Sequence, residues 1–294
     1  MGQATVLLLV APVLFGTTGT AQALAGAQAA PLAIGGLRLA VGGFALAVVA
    51  LVSGGSRPLV RVLLSQPLLA TVAALSVAAY QLFFFSAVAA TGVALGTLVA
   101  IGSGPVFAGL LGGLIGERPG WRWAAATGLA LAGVVALVGP GAHVVPAGMA
   151  AALGAGLAYA GFTVSARRLV TAGLPSGAVV GASFGAAALL LLPFWLGQDL
   201  RPLAGIRGIL LVGWLGLATT AVAYLLFGRG LRAVPATTLG LAEPLTAAAL
   251  GLVLLHERPA PIAWLGAALI AVGLVIQARE PARLATPALQ DREE

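Results

Sequence analysis

The sequence predicts an all-α polytopic membrane protein in which ten transmembrane helices form two inverted five-helix repeats. Hydrophobic residues make up 60% of the 294-residue chain and charged residues 8%, with a mean hydropathy of +1.08. This composition is typical of membrane proteins and not of soluble domains. A spanning helix needs about 20 mainly apolar residues to cross roughly 30 Å of hydrocarbon, and ten such stretches use nearly the whole chain.

One apolar pattern occurs twice in the chain. Four pairs of matching residues stand 144 positions apart: Phe15 with Tyr159, Pro31 with Pro175, Tyr80 with Tyr224, and Phe83 with Phe227. Glu-Arg-Pro at 117–119 matches Glu-Arg-Pro at 257–259, at a spacing of 140. Because five crossings per copy is an odd number, the second copy must be inverted, as in many secondary transporters. We predict one repeat over 4–140 and the inverted repeat over 147–278.

Apolar runs place the individual helices in order. The first repeat is predicted to contain helices near 4–24, 31–52, 67–90, 92–115 and 121–140. The second is predicted to contain helices near 147–166, 175–196, 207–228, 235–255 and 260–278. Proline opens several of them, at the position where a missing N–H costs nothing. The short connections predict antiparallel neighbours, and the mixed-charge residues 279–294 are predicted to form a mobile cytoplasmic tail.

The arginines indicate the orientation of the helices. With a cytoplasmic N-terminus, eleven of the 15 Arg fall in cytoplasmic loops and the tail, and three fall outside. Cytoplasmic loops are generally enriched in positive charge, so both termini are predicted to be cytoplasmic. The same bias explains the net charge of +7 without a nucleic-acid partner. A chain without Lys or Asn and rich in Ala, Gly and Leu indicates a bacterium with a GC-rich genome. We therefore expect the protein in the bacterial cytoplasmic (inner) membrane.

Several function classes are excluded by missing residues. Without Cys there are no disulfides, thiolate metal sites or cysteine nucleophiles. The chain has no G-x-x-x-x-G-K-[S/T] loop, which excludes ATP as the energy source. His143 and His256 lie in predicted loops and no acid pair lies within a span, so an intramembrane enzyme is a remote alternative. We predict no metal and no cofactor.

The order of the motifs resembles that of a known family. The first half carries Leu14-Phe15-Gly16-Thr17, Pro31 with Leu37-Arg38-Leu39, Pro105 and Gly116-Glu117-Arg118-Pro119. The second half carries Ala242-Glu243-Pro244, Leu255-His256-Glu257-Arg258 and Trp264-Leu265-Gly266. Together they resemble the drug/metabolite transporter superfamily, and within it the EamA-type ten-helix exporters. The resemblance implies a basket-like bundle, a central cavity, alternating access and export of small metabolites, often amino acids.

Helix three resembles one branch of that family in particular. Tyr80-Gln81 before Phe83-Phe84-Phe85 is similar to the amino-acid exporters typified by the aromatic amino-acid exporter of enteric bacteria. That exporter has bulky aromatic residues just before the helix-four proline, where this chain has Gly102-Ser103-Gly104. A wider or less selective cavity is therefore expected.

Polar and aromatic residues four positions apart indicate the faces that line this cavity. The pattern occurs in helices three, six and eight: Ser76, Tyr80 and Phe84; Tyr159 and Thr163; Thr220 and Tyr224. The repeat pairs Tyr80 with Tyr224, so two phenols are predicted to approach one axis from opposite sides. Ring faces attract ammonium or aromatic groups and hydroxyls bind carboxylates. The alternative is that these side chains only join neighbouring helices.

Other polar residues extend this candidate substrate site. The amide of Gln81 is able to hold an amino-acid backbone or to cap a carbonyl of a neighbouring helix. Ser103 is a first-repeat counterpart of Glu243. Thr17 and Thr18 follow Gly16, where helix one is expected to loosen and free its backbone for a substrate carboxylate. Their alternative is a hydrogen bond back to the preceding turn.

Two charged residues lie well inside predicted spans. Eight helical residues from Pro235, at about 1.5 Å each, place Glu243 roughly 12 Å deep, near the bilayer midplane. A carboxyl group there is suited to carrying a proton or to binding a substrate ammonium. The competing interpretation is a structural ion pair with Arg38.

The predicted function is a secondary-active exporter of amino acids or related small metabolites, using alternating access through the central cavity. Two other cargoes are possible on the same fold. A lipophilic cation or drug would be matched by the negative charge of Glu243, and a nucleotide sugar by the positive charge of Arg38. The expected partners are the bilayer, the small-molecule substrate and, in a coupled cycle, protons. A monomer or weak homodimer is expected.

Overall fold

The computed structural model describes residues 3–26, 28–91, 93–114, 120–138, 145–230 and 261–278, and positions 243, 246, 249–250, 253–254 and 256. All secondary structure in this part of the chain is helical. The helices are α1 (Gln3–Ala25), α2 (Pro31–Gly54), α3 (Ser56–Ser65), α4 (Pro67–Thr91), α5 (Val93–Leu114), α6 (Trp121–Val138), α7 (Pro146–Thr171), α8 (Ser176–Leu196), α9 (Ile206–Gly230) and α10 (Pro261–Ala278). A 3-10 turn at Arg201–Leu203 precedes α9.

Nine of the ten predicted spans correspond to a described helix, with ends that agree to within five residues. Five of the described helices, α2, α4, α7, α8 and α9, are long and apolar enough to cross a membrane. Shorter apolar segments lie in α5 and α10. The predicted ninth span falls mostly outside the described residues, although the described positions from Glu243 to 254 are helical. The Glu-Arg-Pro motifs and the predicted tail at 279–294 also lie outside them.

Helix α3 differs from the sequence prediction, which places Arg57 and Arg61 in a loop. Its ten residues are too short to span a bilayer. Val62 is fully buried and Leu59 packs on the core, whereas Leu64 is 75% exposed. The helix therefore packs one side against α2, α4 and α8 and leaves the other uncovered. A search for membrane-length apolar runs misses it because its apolar residues follow a helical period over only ten residues.

The packing of the helices follows the inverted repeat. The repeat relates α1 to α7, α2 to α8, α4 to α9 and α6 to α10. The self-related pairs α2–α8 and α6–α10 pack against each other, as expected at a pseudo-twofold axis. The contact of α4 with α7 is matched by that of α9 with α1, and the contact of α4 with α8 by that of α9 with α2. Every one of these contacts thus has its repeat-related partner.

Glycines allow α2 and α8 to approach closely along this axis. A Cβ added to Gly43 would lie 2.6 Å from the backbone oxygen of Phe184, and one added to Gly181 would lie 2.8 Å from the backbone oxygen of Leu46. No side chain fits into such gaps without moving a helix. Small residues at four-residue spacing commonly serve this purpose in membrane helices.

The central part of α9 is unusual. Residues Trp214–Val222 form a π-helix of nine residues, longer than the single turns that such helices usually make. This segment packs against α1 and α2. It directly precedes Tyr224 and contains Thr220, so it determines how both side chains enter the core between the repeats.

Candidate functional site

The chain has three tyrosines, and all three come together between the repeats. The rings of Tyr80 on α4 and Tyr159 on α7 have centroids 6.3 Å apart, and Tyr80 stacks on Phe84 at 5.3 Å. Tyr224 on α9 is connected to Tyr159 through Phe227, whose ring centroid lies 6.5 Å from Tyr159 and 5.8 Å from Tyr224. Tyr80 and Tyr159 are half-buried, whereas Tyr224 is only 8% exposed. The three tyrosines thus belong to one chain of ring contacts, and the direct approach of Tyr80 and Tyr224 to one axis stays a prediction.

The aromatic contacts around this centre repeat with the sequence. The Tyr80–Tyr159 pair corresponds to Tyr224–Phe15, whose centroids are 4.8 Å apart. Phe227 joins the two pairs, at 6.3 Å from Phe15 and 6.5 Å from Tyr159. Phe83, the repeat counterpart of Phe227 in α4, is instead 45% exposed, whereas Phe227 is fully buried. The aromatic cluster is therefore packed more tightly on the side of α9.

Arg38 enters the same centre from α2. It is 7% exposed, and its Nε donates a hydrogen bond of 3.2 Å to Oγ1 of Thr220. The Thr220 hydroxyl in turn donates to the backbone oxygen of Leu215 at 2.8 Å, a five-residue step that the π-helix makes possible. The guanidinium is therefore fixed at one edge, by a residue that lies one turn before Tyr224 on α9.

Glu243 reaches the centre from the side of α1. Its backbone oxygen and the side chain of Thr246 lie against Gly16, where an added Cβ would be 3.0 Å and 2.6 Å away. Glu243 is half-buried as a residue. Among the described residues, however, no ion pair joins it to Arg38. The structural ion pair considered from the sequence is not formed here.

Gln81 carries an unsatisfied polar atom. The side chain is 3% exposed and its Oε1 has no hydrogen-bond partner among the described residues. One turn further along α4, the Phe85 ring packs directly on Gly35 of α2. Since α2 and α4 are predicted to be antiparallel, this register places Gln81 at the level of Arg38. An amide oxygen left unpaired in the core is costly, which is consistent with a partner that comes and goes.

Other predicted hydroxyls are engaged within the protein. Thr163 is fully buried and donates to the carbonyl three residues earlier at 3.1 Å. Ser103 is buried and makes the same bond at 3.3 Å. Ser76, one turn before Tyr80, is half-buried and lies beside Gly161 of α7. The structure places these three at helix contacts that surround the tyrosine centre.

Helix α1 does not loosen after Gly16, so that prediction is wrong. The helix is continuous from residue 3 to residue 25. Oγ1 of Thr17 donates to the backbone oxygen of Leu14 at 2.7 Å and accepts a 3.0 Å hydrogen bond from Nε1 of Trp214. The Thr17 hydroxyl is thus used for back-bonding and for holding α9. Thr18 is half-buried in the same turn, and its carbonyl lies 3.4 Å from the Gln22 amide.

Several residues of the centre were not singled out as site candidates by the sequence analysis. Tyr224 is enclosed by Phe184 at 4.2 Å and Phe162 at 5.8 Å, in addition to Phe15 and Phe227. The sequence signal for Phe15 and Phe227 was available, because both belong to the repeat. Phe162 and Phe184 have no such signal, and only their tertiary contacts identify them. Within the described residues no group of His, Asp or Glu is arranged to hold a metal ion.

Comparison with known proteins agrees with this architecture. Residues 3–139 and again residues 146–278 match the EamA-like transporter family. Over 288 residues the chain is 40% identical to the uncharacterized transporter YwfM of Bacillus subtilis (strain 168), with 96% of each chain covered. A crystal structure with 26% identity superposes with a TM-score of 0.76 and covers 93% of this chain and 95% of its own. The chain therefore belongs to the EamA-like transporter family of the drug/metabolite transporter superfamily, and it is a multi-pass membrane transporter.

Proposed function

We propose that this transporter is a secondary-active exporter of amino acids or related small metabolites, with its substrate site at the tyrosine centre. The observation that carries the proposal is that ring contacts connect the three tyrosines, while Thr220 holds Arg38 one turn before Tyr224 and Glu243 lies against α1 next to Phe15 of the same aromatic cluster. The ring faces of tyrosine attract an ammonium group, and a guanidinium and a carboxylate offer opposite charges to a zwitterion. Charged groups at this depth in a membrane usually serve transport.

The inverted repeat supports an alternating-access cycle. The α4–α7 and α1–α9 contacts are equivalent, and each brings an aromatic pair to the centre. Two equivalent contacts of opposite orientation provide two gates, of which one opens as the other closes. We place the protein in the bacterial cytoplasmic membrane with both termini cytoplasmic, on the basis of the arginine distribution.

A lipophilic cation is the second candidate cargo. It is favoured by Glu243, which lies against α1 next to Phe15 of the aromatic cluster, because an acid beside aromatic rings is the kind of surrounding that binds cations. A nucleotide sugar carries several negative charges, for which Arg38 alone is poor compensation. Uptake assays with a monovalent organic cation distinguish this candidate from the amino-acid exporter.

The proposal is tested by uptake of radiolabelled amino acids into proteoliposomes, with and without an imposed pH gradient. We expect saturable uptake by the wild type and its loss on Glu243→Gln, because the amide neither carries a proton nor pairs with an ammonium. The matched control is Asp199→Asn, since Asp199 is an exposed acid outside the helices. Absence of uptake for all amino acids would refute the cargo, whereas uptake that survives Glu243→Gln would limit Glu243 to a structural role.

Light scattering of the purified protein should give the mass of a monomer, 28.9 kDa, or of a weak dimer.

A further inference from the structure

We infer that Arg38 is the carboxylate-binding residue of the central site, and that Thr220 is the residue that positions it. This inference rests on the proposed function in one respect, namely that the tyrosine centre is where the substrate binds. It adds the chemical identity of the group that is recognised. The inference is carried by the hydrogen bonding of Arg38, by its burial and by the residues that surround it.

The positive charge of Arg38 is buried without a counter-charge in contact. Its hydrogen bond goes to the neutral hydroxyl of Thr220, and no ion pair with Glu243 is present in the described part of the chain. A buried cation is costly unless an anion or several hydrogen bonds compensate for it. The structure shows one hydrogen bond where a guanidinium has five N–H groups to donate. A ligand anion would complete this partial set.

Thr220 leaves the carboxylate-binding edge of the guanidinium free of that hydrogen bond. Its hydroxyl accepts the hydrogen bond from Nε–H of Arg38 and donates its own hydrogen bond to the backbone oxygen of Leu215. The two terminal nitrogens of Arg38 form the edge that binds a carboxylate in the bidentate manner. One turn along α2, Gly42 packs against the same threonine, which holds α2 and α9 in register.

The neighbours of Arg38 fit a small carboxylate. Tyr224 lies one turn after Thr220, on the side of α9 that holds Arg38. Gln81 lies at the level of Arg38 and is able to donate from its amide nitrogen. With one cation at the centre among the described residues, a singly charged carboxylate is matched better than a phosphate. Glu243, on the side of α1, is then left for the ammonium of a zwitterion.

The test uses purified full-length protein and two ligand series with matched skeletons. The first series is leucine, 4-methylpentanoate without the amine, and 3-methylbutylamine without the carboxylate. The second is phenylalanine, 3-phenylpropanoate and phenethylamine. Binding is measured from thermal unfolding followed by tryptophan fluorescence at increasing ligand concentration. The variants are Arg38→Gln, Arg38→Lys and Thr220→Val, with Gly213→Ala on α9 as control because an added Cβ there meets no atom within 4 Å.

We expect Arg38→Gln to weaken binding of the carboxylate ligands by about tenfold or more and to leave the amines within about twofold. Arg38→Lys should restore part of the loss, because it keeps the charge but not the bidentate edge. Thr220→Val should give a smaller loss of the same pattern. If Arg38→Gln fails to fold, the Arg38→Lys and Thr220→Val variants still test carboxylate binding, because both keep the positive charge at this position.

Three results would overturn the inference. They are wild-type binding of the amines alone, no binding of any carboxylate ligand to the wild type, and equal loss of amines and carboxylates in the Arg38 or Thr220 variants. Failure of the proposed function has a different signature. If carboxylates bind through Arg38 but no amino acid crosses the proteoliposome membrane, the site assignment stands and the amino-acid cargo is refuted.

Discussion

Substitution of Gly42 by alanine should separate α2 from α9 and break the Arg38–Thr220 hydrogen bond. An added Cβ would lie 2.5 Å from Cβ and Cγ2 of Thr220 and 2.7 Å from the backbone oxygen of Gly216. Since a carbonyl oxygen of a helix cannot rotate away, the helices must move apart by about 0.7 Å to restore ordinary contact with it. That movement takes the 3.2 Å hydrogen bond to about 4 Å, beyond hydrogen-bonding distance.

The expected cost is the sum of two linked effects. Overpacking of a close helix contact costs about 1–3 kcal/mol, and loss of a hydrogen bond to a charged group costs about 1.5–3 kcal/mol. Because both act through one contact they are not additive, and we expect a total of about 2–4 kcal/mol. The matched control is Gly213→Ala, which should be neutral or slightly stabilising, by about 0.4–1 kcal/mol. Thermal unfolding in detergent measures both variants.

A second variant sharpens the test. Thr220→Ser keeps the hydroxyl and removes Cγ2, one of the atoms that a Cβ at Gly42 would meet. The double variant Gly42→Ala with Thr220→Ser should therefore recover part of the lost stability, though not all, because the contact with the backbone oxygen of Gly216 remains. Equal stability of Gly42→Ala and Gly213→Ala would refute the argument, and so would a double variant that is less stable than the two single changes combined.

Three further changes test other parts of the structure. Gln81→Leu should raise stability by about 1 kcal/mol, because it removes an unpaired buried oxygen, and at the same time lower substrate uptake; stability and uptake that fall together would contradict this. Gly109→Ala should destabilise the protein by about 1–3 kcal/mol because the indole of Trp123 on α6 fills the space beside Gly109. The control Gly113→Ala should not destabilise it, since an added Cβ there meets no atom within 4 Å. Equal unfolding temperatures of the two variants would be inconsistent with that packing. Trp214→Phe should cost about 0.5–1.5 kcal/mol through loss of the hydrogen bond to Thr17, and Thr17→Val should remove most of that difference in a double-mutant cycle.

The parts of the fold that sequence predicts well are those set by the chain's own periodicity. Membrane helices must satisfy their backbone internally, so helix ends follow directly from apolar run length and from prolines such as Pro31 and Pro67. The repeat adds tertiary information, because residues that match across two inverted copies must be related by one axis. This is why the sequence alone is enough to pair Tyr80 with Tyr224.

The parts that sequence does not predict depend on partners distant in the chain. Thr17 illustrates this, since its hydroxyl accepts a hydrogen bond from the indole N–H of Trp214, 197 residues away, and no local sequence pattern predicts that contact. The π-helical segment of α9 is likewise not visible in an apolar run, yet it decides how Thr220 meets Arg38. The sequence does not tell which candidate hydroxyls bond to their own helices, as Thr163 and Ser103 do in the structure.

The central site combines a symmetric frame with an asymmetric set of charges. The aromatic pairs Tyr80–Tyr159 and Phe15–Tyr224 are repeat-related, so the frame is a property of the duplicated fold. Arg38 and Glu243 are not, because Ala182 stands 144 positions after Arg38 and a neutral residue stands opposite Glu243 in the first copy. A frame with two equivalent gates is suited to alternating access for any cargo. Since neither charge has a charged counterpart in the other repeat, these two residues are where we expect the choice of cargo and its orientation to be set, and changes at these two positions should alter selectivity.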